Sequence, residues 1–360
     1  MNKTKNKQNK KKSSQSSSFA QFAVFAVLVI AVVLIAHLLT SNEPFSFVKT
    51  IYQGNGIYNA FFNNEDVGDF DIPPAVTEAE TQVPKFLYSD VFGKIEHSPI
   101  AVMISATDGS VILDKDKDRM FFPASITKVM TAIVVYENLP DLSVMVPFDH
   151  DIFVYCTEQN AAISGFLTGE KASALELLYG TLITSGADCA IALAKYISGS
   201  EEAFAVLMNE KCAEYGLENT NFVNCTGLLN AKHYSTAHDL AIIMQKALEI
   251  DLLREIMTTR NYRTKTATMH PEGLAMVSTV TKAFNKAKLS QGKVLGGKTG
   301  FTDDALLCLA SFADIKIEDT VETFILVTLG AGEGGYDTPY HIYDANLVFN
   351  SVQNVYETTN

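Results

Sequence analysis

Phe122-Pro-Ala-Ser125-Ile-Thr-Lys128-Val-Met-Thr-Ala132 holds a hydroxyl and an amine three residues apart at the start of an apolar-periodic run. Pro123 marks a helix start, and Val129, Ala132, Ile133 and Tyr136 give the helix one apolar face to about Asn138. At i and i+3, Ser125 and Lys128 lie on the same face, one turn apart. A serine is a poor nucleophile until a base takes its proton. A lysine takes it only when its pKa falls toward neutrality, and a helix N-terminus, burial and a nearby second cation all push it down. Alone, S-x-x-K is also the pattern of a solvated helix lysine.

On the N-terminal side, Ile100–Ser105 and Val111–Leu113 flank Thr107-Asp-Gly109, a hairpin signal. On the C-terminal side the reading turns helical. Ala172–Ile197 predicts two short helices broken at Thr184-Ser-Gly186, and Glu201–Tyr215 a helix stopped by Gly216. Thr236-Ala-His-Asp239 resembles a capping box opening a helix over 237–249. Ala305–Ala313 and Thr323–Leu329 are β-rich, and Pro339–Val355 predicts a last helix. Strands at both ends and helices between them predict an α/β, two-lobed fold. An antiparallel sheet flanked by helices makes one lobe, and the other is all-helical.

Two further segments carry chemistry. Ser185-Gly-Ala187 places a hydroxyl on the interhelical turn, where it is either a proton relay or a turn and capping serine. Gly296-Gly-Lys298-Thr-Gly300-Phe-Thr302 enters a strand. There Lys298 offers a positive charge and Thr299 a hydroxyl to a carboxylate, and Gly300 admits a peptide backbone along the strand edge.

In this order and context the three segments match the signature of penicillin-binding proteins and β-lactamases. Over residues 95–355 the chain resembles the serine D-alanyl-D-alanine carboxypeptidases, the low-molecular-mass penicillin-binding proteins. The runs Ser185-Gly-Ala-Asp-Cys-Ala-Ile-Ala-Leu-Ala194 and His233-Tyr-Ser-Thr-Ala-His-Asp-Leu-Ala241 add to the likeness. The resemblance implies a DD-peptidase/β-lactamase-like fold and an acyl-enzyme mechanism without cofactor or metal. Ser125 would be the nucleophile, Lys128 its base and Ser185 a relay to the departing D-alanine. Lys298 and Thr299 would hold the terminal carboxylate of a peptidoglycan stem peptide, beside Gly300. The amides of Ser125 and Phe301 would form the oxyanion hole, and β-lactams would acylate the same serine. One departure stands out: the family's middle motif is usually Ser-x-Asn, and here the third position is Ala187. A catalytically weak penicillin-binding scaffold and a β-lactamase remain alternatives. The second lacks an E-x-x-x-N segment between Ser185 and Lys298.

Net charge is −13, and the first twelve residues hold six lysines and no acid, leaving 22 basic against 41 acidic residues in the rest. An acidic body argues against a nucleic-acid partner. Phe19–Leu39 is interrupted only by Gln21 and His37, long enough to span a bilayer. A cleaved signal peptide is the competing reading, disfavoured by the length of the run and by His37-Leu-Leu-Thr40 as a cleavage site. The expected organisation is a basic cytoplasmic tail (1–18), a single-pass signal-anchor helix in the cell membrane (19–39), an acidic Pro-bearing extracytoplasmic stem (41–84) and a catalytic domain (85–357). Five cysteines without C-x-x-C spacing read as buried thiols. Gly330-Ala-Gly-Glu-Gly-Gly335 matches G-x-G-x-x-G without the βαβ unit a dinucleotide site needs, and reads as a turn.

Overall fold

The computed structural model describes residues 95–284, 289–290, 292–317, 319–332 and 339–357. The tail, apolar span and stem expected over residues 1–84 lie outside the described residues, as does the start of the expected catalytic domain. Among the described residues no helix is long and apolar enough to cross a membrane.

A five-stranded antiparallel sheet organises the domain. Its strands are β1 (Ile100–Ser105), β2 (Val111–Lys115), β7 (Gly292–Thr302), β8 (Leu306–Ile317) and β9 (Thr320–Ala331), in the order β2-β1-β9-β8-β7. The first hairpin therefore joins the last strand, with Ile100 opposite Leu329 and Ser105 opposite Phe324. The predicted turn closes the hairpin, with Gly109 at φ +74° and the Asp108 carboxylate accepting from the Ser110 amide at 3.0 Å.

β1 reads as a continuous apolar run because both faces of the sheet are covered. Ala101, Met103, Leu309, Phe324 and Leu326 pack with Ile342, Ala345, Val348 and Phe349 of the C-terminal helix Tyr340–Glu357. Ile100, Val102, Phe312, Ile325 and Val327 face the helical lobe.

That lobe holds α1 (Lys128–Asn138), α2 (His150–Glu158), α3 (Ala174–Ile183), α4 (Ala187–Ser198), α5 (Glu201–Glu214), α6 (Ala237–Glu249) and α7 (Asp251–Thr258). Residues 128–135 of α1 are all buried, so this helix is an axis around which the lobe packs. The predicted break between α3 and α4 is at Thr184-Ser-Gly186, as the sequence suggests. The cap on α6 is half of the expected box. Thr236 Oγ1 accepts from the Asp239 amide at 3.0 Å, but the Asp239 carboxylate accepts from Thr220 Oγ1 at 2.6 Å instead of returning to the cap. α2, α7, a short helix α8 (Thr279–Phe284) and two hairpins of three-residue strands were not predicted. These hairpins are β3 (Met145–Pro147) with β4 (Lys171–Ser173), and β5 (Asn261–Arg263) with β6 (Ala275–Val277). Strands so short carry no periodicity to read. All five cysteines are buried and unpaired.

Candidate active site

The helix predicted from Ser125 begins differently in the structure. Ala124–Thr127 form a 3-10 turn, and α1 starts at Lys128. A 3-10 turn has three residues per turn, so i and i+3 eclipse. That places Lys128 Nζ 2.8 Å from Ser125 Oγ. Ala124 enters the turn at φ +47°, a strained value for a residue with a side chain.

The strain is enclosed on two sides. A Cβ at Gly300 on β7 would sit 3.1 Å from the Ser125 amide nitrogen, so the strand runs directly beside the Ser125 turn. Gly227, at φ +80°, approaches so closely that a Cβ there would overlap the Ala124 carbonyl. Asn224 shapes this second wall, its Oδ1 accepting from the Gly227 amide at 2.7 Å.

Lys128 has a second partner that the motif does not reveal, the Thr226 carbonyl at 2.7 Å. Burial lowers the Lys128 pKa to about 8. Its place as the first residue of α1 also sets it at the positive end of that helix.

Lys298, fully buried on β7, donates to Ser185 Oγ at 2.8 Å and to the Thr299 carbonyl at 2.7 Å. Burial, and then the neighbouring Lys128 charge, hold it well below the usual lysine range. Two ammonium groups this close in a dry site do not both stay protonated. Ser185 stands on the α3–α4 turn at φ +65° and is nine-tenths buried. Its hydroxyl is thus tied to Lys298, not left as a turn or capping group. Thr299 Oγ1 donates to Thr279 Oγ1 of α8 at 2.8 Å. Phe301 follows on the same strand, opposite Leu307 of β8. The structure therefore brings Ser125, Lys128, Ser185, Lys298, Thr299, Gly300 and Phe301 into one place, on β7, two turns and one helix start.

Ala187, in the position where an amide was expected, is buried, and its own N–H donates to the Ala162 carbonyl at 2.7 Å. Asp188 does not stand in for the amide. Its two oxygens accept from the Ser164 amide at 2.9 and 3.0 Å, pinning loop 159–169 onto the start of α4.

His233 opens the run His233–Ala241, but its role is not legible in that run. Its Nδ1 accepts from the Val223 amide at 3.2 Å, so Nε2 carries the proton and donates to Thr127 Oγ1 at 2.8 Å. Burial, and then Lys128, lower its pKa to about 3, so the ring is a neutral clamp on the turn that carries Ser125. The Asn-x-x-Gly of residues 224–227 is the sequence signal that points to this loop as a tight turn. Among the described residues no cluster of acidic, cysteine or histidine side chains is arranged to hold a metal.

The family model for D-alanyl-D-alanine carboxypeptidase matches residues 94–332. D-alanyl-D-alanine carboxypeptidase DacF of Bacillus subtilis is 34% identical over 217 residues, covering 59% of this chain and 53% of its own length. DacC of Escherichia coli is 30% identical over 280 residues, covering 65% of this chain and 69% of its own. The crystal structure of the Streptomyces K15 DD-transpeptidase superposes with a TM-score of 0.63 at 25% identity, covering 73% of this chain and 97% of that one. The family match takes in every residue of the site and more than half of the chain, so the chain belongs to the D-alanyl-D-alanine carboxypeptidase family.

Proposed function

We propose that this protein is a serine-type D-Ala-D-Ala carboxypeptidase that removes the terminal D-alanine from peptidoglycan stem peptides, and that β-lactams acylate it at Ser125. One observation carries the reading: a buried lysine titrating near pH 8 stands 2.8 Å from a serine hydroxyl. A second lysine and serine, also 2.8 Å apart, complete the site.

The chemistry follows from these positions. The substrate's terminal carboxylate meets Lys298 and the Thr299 hydroxyl. An anion there favours the charged form of Lys298, which in turn disfavours a proton on Lys128. Neutral Lys128 then takes the Ser125 proton as Oγ adds to the carbonyl carbon between the two D-alanines. The amides of Ser125 and Phe301 stabilise the developing oxyanion. Ser185 Oγ accepts a hydrogen bond from Lys298, so its own proton is free to go to the departing amine, and Lys298 can replace it. The C–N bond breaks and D-alanine leaves. The proton that Lys128 took from Ser125 passes to the Ser185–Lys298 pair, which gave one to the amine. Lys128, neutral again, deprotonates the water that cleaves the ester, and its new proton returns to Ser125 Oγ. A β-lactam offers the same pairing of amide and carboxylate, with its amide strained by the ring, but its leaving group stays tethered.

We also read residues 19–39 as a membrane anchor that places the domain outside the cell, supported by the lysines before an apolar run of bilayer length. Protease added to intact cells then digests the chain beyond residue 41 and spares the tail. A body recovered from the cytosol overturns the placement.

The activity is tested by intact mass after incubation with a β-lactam, with the adduct mapped to a peptide, together with D-alanine release from a D-Ala-D-Ala peptide. One adduct on the Ser125 peptide and steady release are expected. Labelling without release identifies a penicillin-binding scaffold, and sustained turnover of the β-lactam a β-lactamase.

A further inference from the structure

The second hydrogen bond of Lys128 leads into a buried patch that the steps above do not use. The acceptor is the Thr226 carbonyl at 2.7 Å. The preceding residue, Cys225, is fully buried, and its carbonyl accepts from Thr131 Oγ1 of α1 at 2.7 Å. Its thiol donates to Glu201 Oε2 at 3.0 Å. Glu201 is the first residue of α5, whose cap is formed by Ser200 accepting from the Ala203 amide at 3.1 Å. The carboxylate thus lies at the positive end of a fourteen-residue helix, which favours its ionised form. Burial acts the other way and raises its pKa, as does the adjacent Glu202 charge, while hydrogen bonding from Cys225 and the Lys128 charge oppose that rise.

Groups from every side face Lys128. They are Cys156 of α2, Asp188 of α4, Glu201 of α5, Cys225 and His233 of the connecting loops, and Lys298 of β7. Burial pushes the Cys156 thiol up to about 12 and Cys225 well above the usual thiol range, so both are uncharged near neutrality. His233 is neutral at its value of about 3. Both oxygens of Asp188 are committed to the Ser164 amide. Glu201 is the carboxylate whose hydrogen bonding runs into the loop that holds Lys128.

We infer that Glu201 is a positioning residue for the acylation step: through Cys225 it holds the Thr226 carbonyl against Lys128, and its charge sets the pH at which Lys128 becomes a free base. This rests on the acyl-enzyme reading proposed above. An anion near a buried amine favours the ammonium and so offsets part of the burial cost. It also stabilises the charge that Lys128 acquires when it takes the Ser125 proton. Without that anion Lys128 titrates at lower pH and is a weaker base.

The test is the pH profile of β-lactam acylation of the full chain, measured as the second-order rate with a fluorescent penicillin. That rate reports the free enzyme, so its acid limb follows the base. In Glu201→Gln the limb is expected to move down by about half a pH unit or more. The plateau falls by about 3- to 10-fold. Glu201→Asp, which keeps the charge, retains the wild-type limb. A Glu201→Gln limb at the wild-type position overturns the inference, as does an equal shift in Glu201→Asp, which reports disturbed packing instead of lost charge. Should Glu201→Gln not fold, Cys225→Ala removes the donor that keeps the carboxylate ionised, and its limb moves down while that of Cys225→Ser does not. An unmoved Cys225→Ala limb overturns the inference in that case. A wild-type chain that takes no acyl group at all overturns the proposed function itself, a separate result.

Discussion

At the scale of single residues the proposed chemistry turns on the protonation of two buried lysines. Lys128 titrates near 8, so acylation by a β-lactam rises with pH through that value. Ser125→Ala abolishes covalent labelling and leaves the fold intact, because it removes one oxygen. Lys128→Arg also fails, although it keeps the charge, since a guanidinium stays protonated at any working pH. Acylation within about 10-fold of wild type in Lys128→Arg, a barrier change of only ~1.4 kcal/mol, would show that Lys128 is not the base. Ala187 makes the second prediction. Its backbone contact with Ala162 survives substitution, and Asp188 is occupied elsewhere, so the missing amide has no replacement in that residue. Ala187→Asn is expected to raise the acylation rate by about 10-fold, the worth of one hydrogen bond to bound substrate. Stopped-flow acylation checks it, and an unchanged rate means the acylated group is held by other contacts.

Among the elements, the decisive ones are the tight turns that bring helix starts and strand edge together. The 3-10 turn at Ala124–Thr127 is held between β7 and the Asn224–Gly227 loop. Gly227 and Gly216 have similar dihedrals, φ +80° and +70°, but different surroundings. A Cβ at Gly227 overlaps the Ala124 backbone, whereas one at Gly216 meets nothing within 4 Å. Gly216→Ala therefore carries only the left-handed penalty of about 1–2 kcal/mol. Gly227→Ala adds a clash with the nucleophile turn and is expected to cost more than ~3 kcal/mol, with loss of labelling. Chemical denaturation of the two variants in parallel makes the comparison, and equal costs would mean that the Asn224 loop moves freely away from Ser125.

For the whole molecule, the buried histidines shape stability against acid. His233 is held at about 3 in the folded chain against an ordinary value near 6.5, and His341 at about 4, both by burial. The unfolded chain therefore binds protons on these rings first. Their contribution is fully present above about pH 6.5 and is lost as pH falls toward the folded values. Each unit in that window costs about 1.4 kcal/mol per ring. Asp188, which is buried, and Glu201, which is partly buried, have raised pKa values and oppose this, so the His233 share is read from a difference. His233→Gln keeps a donor for Thr127 and does not titrate. Between about pH 6 and 4 its stability is expected to fall less steeply than wild type, by about 1.4 kcal/mol per unit. Urea midpoints across that range measure the slopes, and parallel curves would remove His233 from the acid response.

Much of this organisation is written locally and was legible in the chain. Asp108-Gly109, Thr236, Gly216 and the break at Thr184-Ser-Gly186 mark turns and helix ends, because caps and left-handed turns depend on residues within one or two turns of each other. Ser125 and Lys128 share a face for the same reason. The three motifs, read together, pointed to Ser125, Lys128, Ser185 and the Lys298 strand, which the fold brings to one place. What needed the tertiary structure was every relation across long separations. Lys298 meets Ser185 across 113 positions and Lys128 meets the Thr226 carbonyl across 98. No local periodicity encodes such pairs, and the first predicted strands pair with β9 across the whole intervening helical lobe. The 3-10 geometry, the His233 clamp and the Glu201–Cys225 pair belong to the same class. Each is set by packing that forces a turn or buries a polar group, and burial is also what gives the two lysines their chemistry.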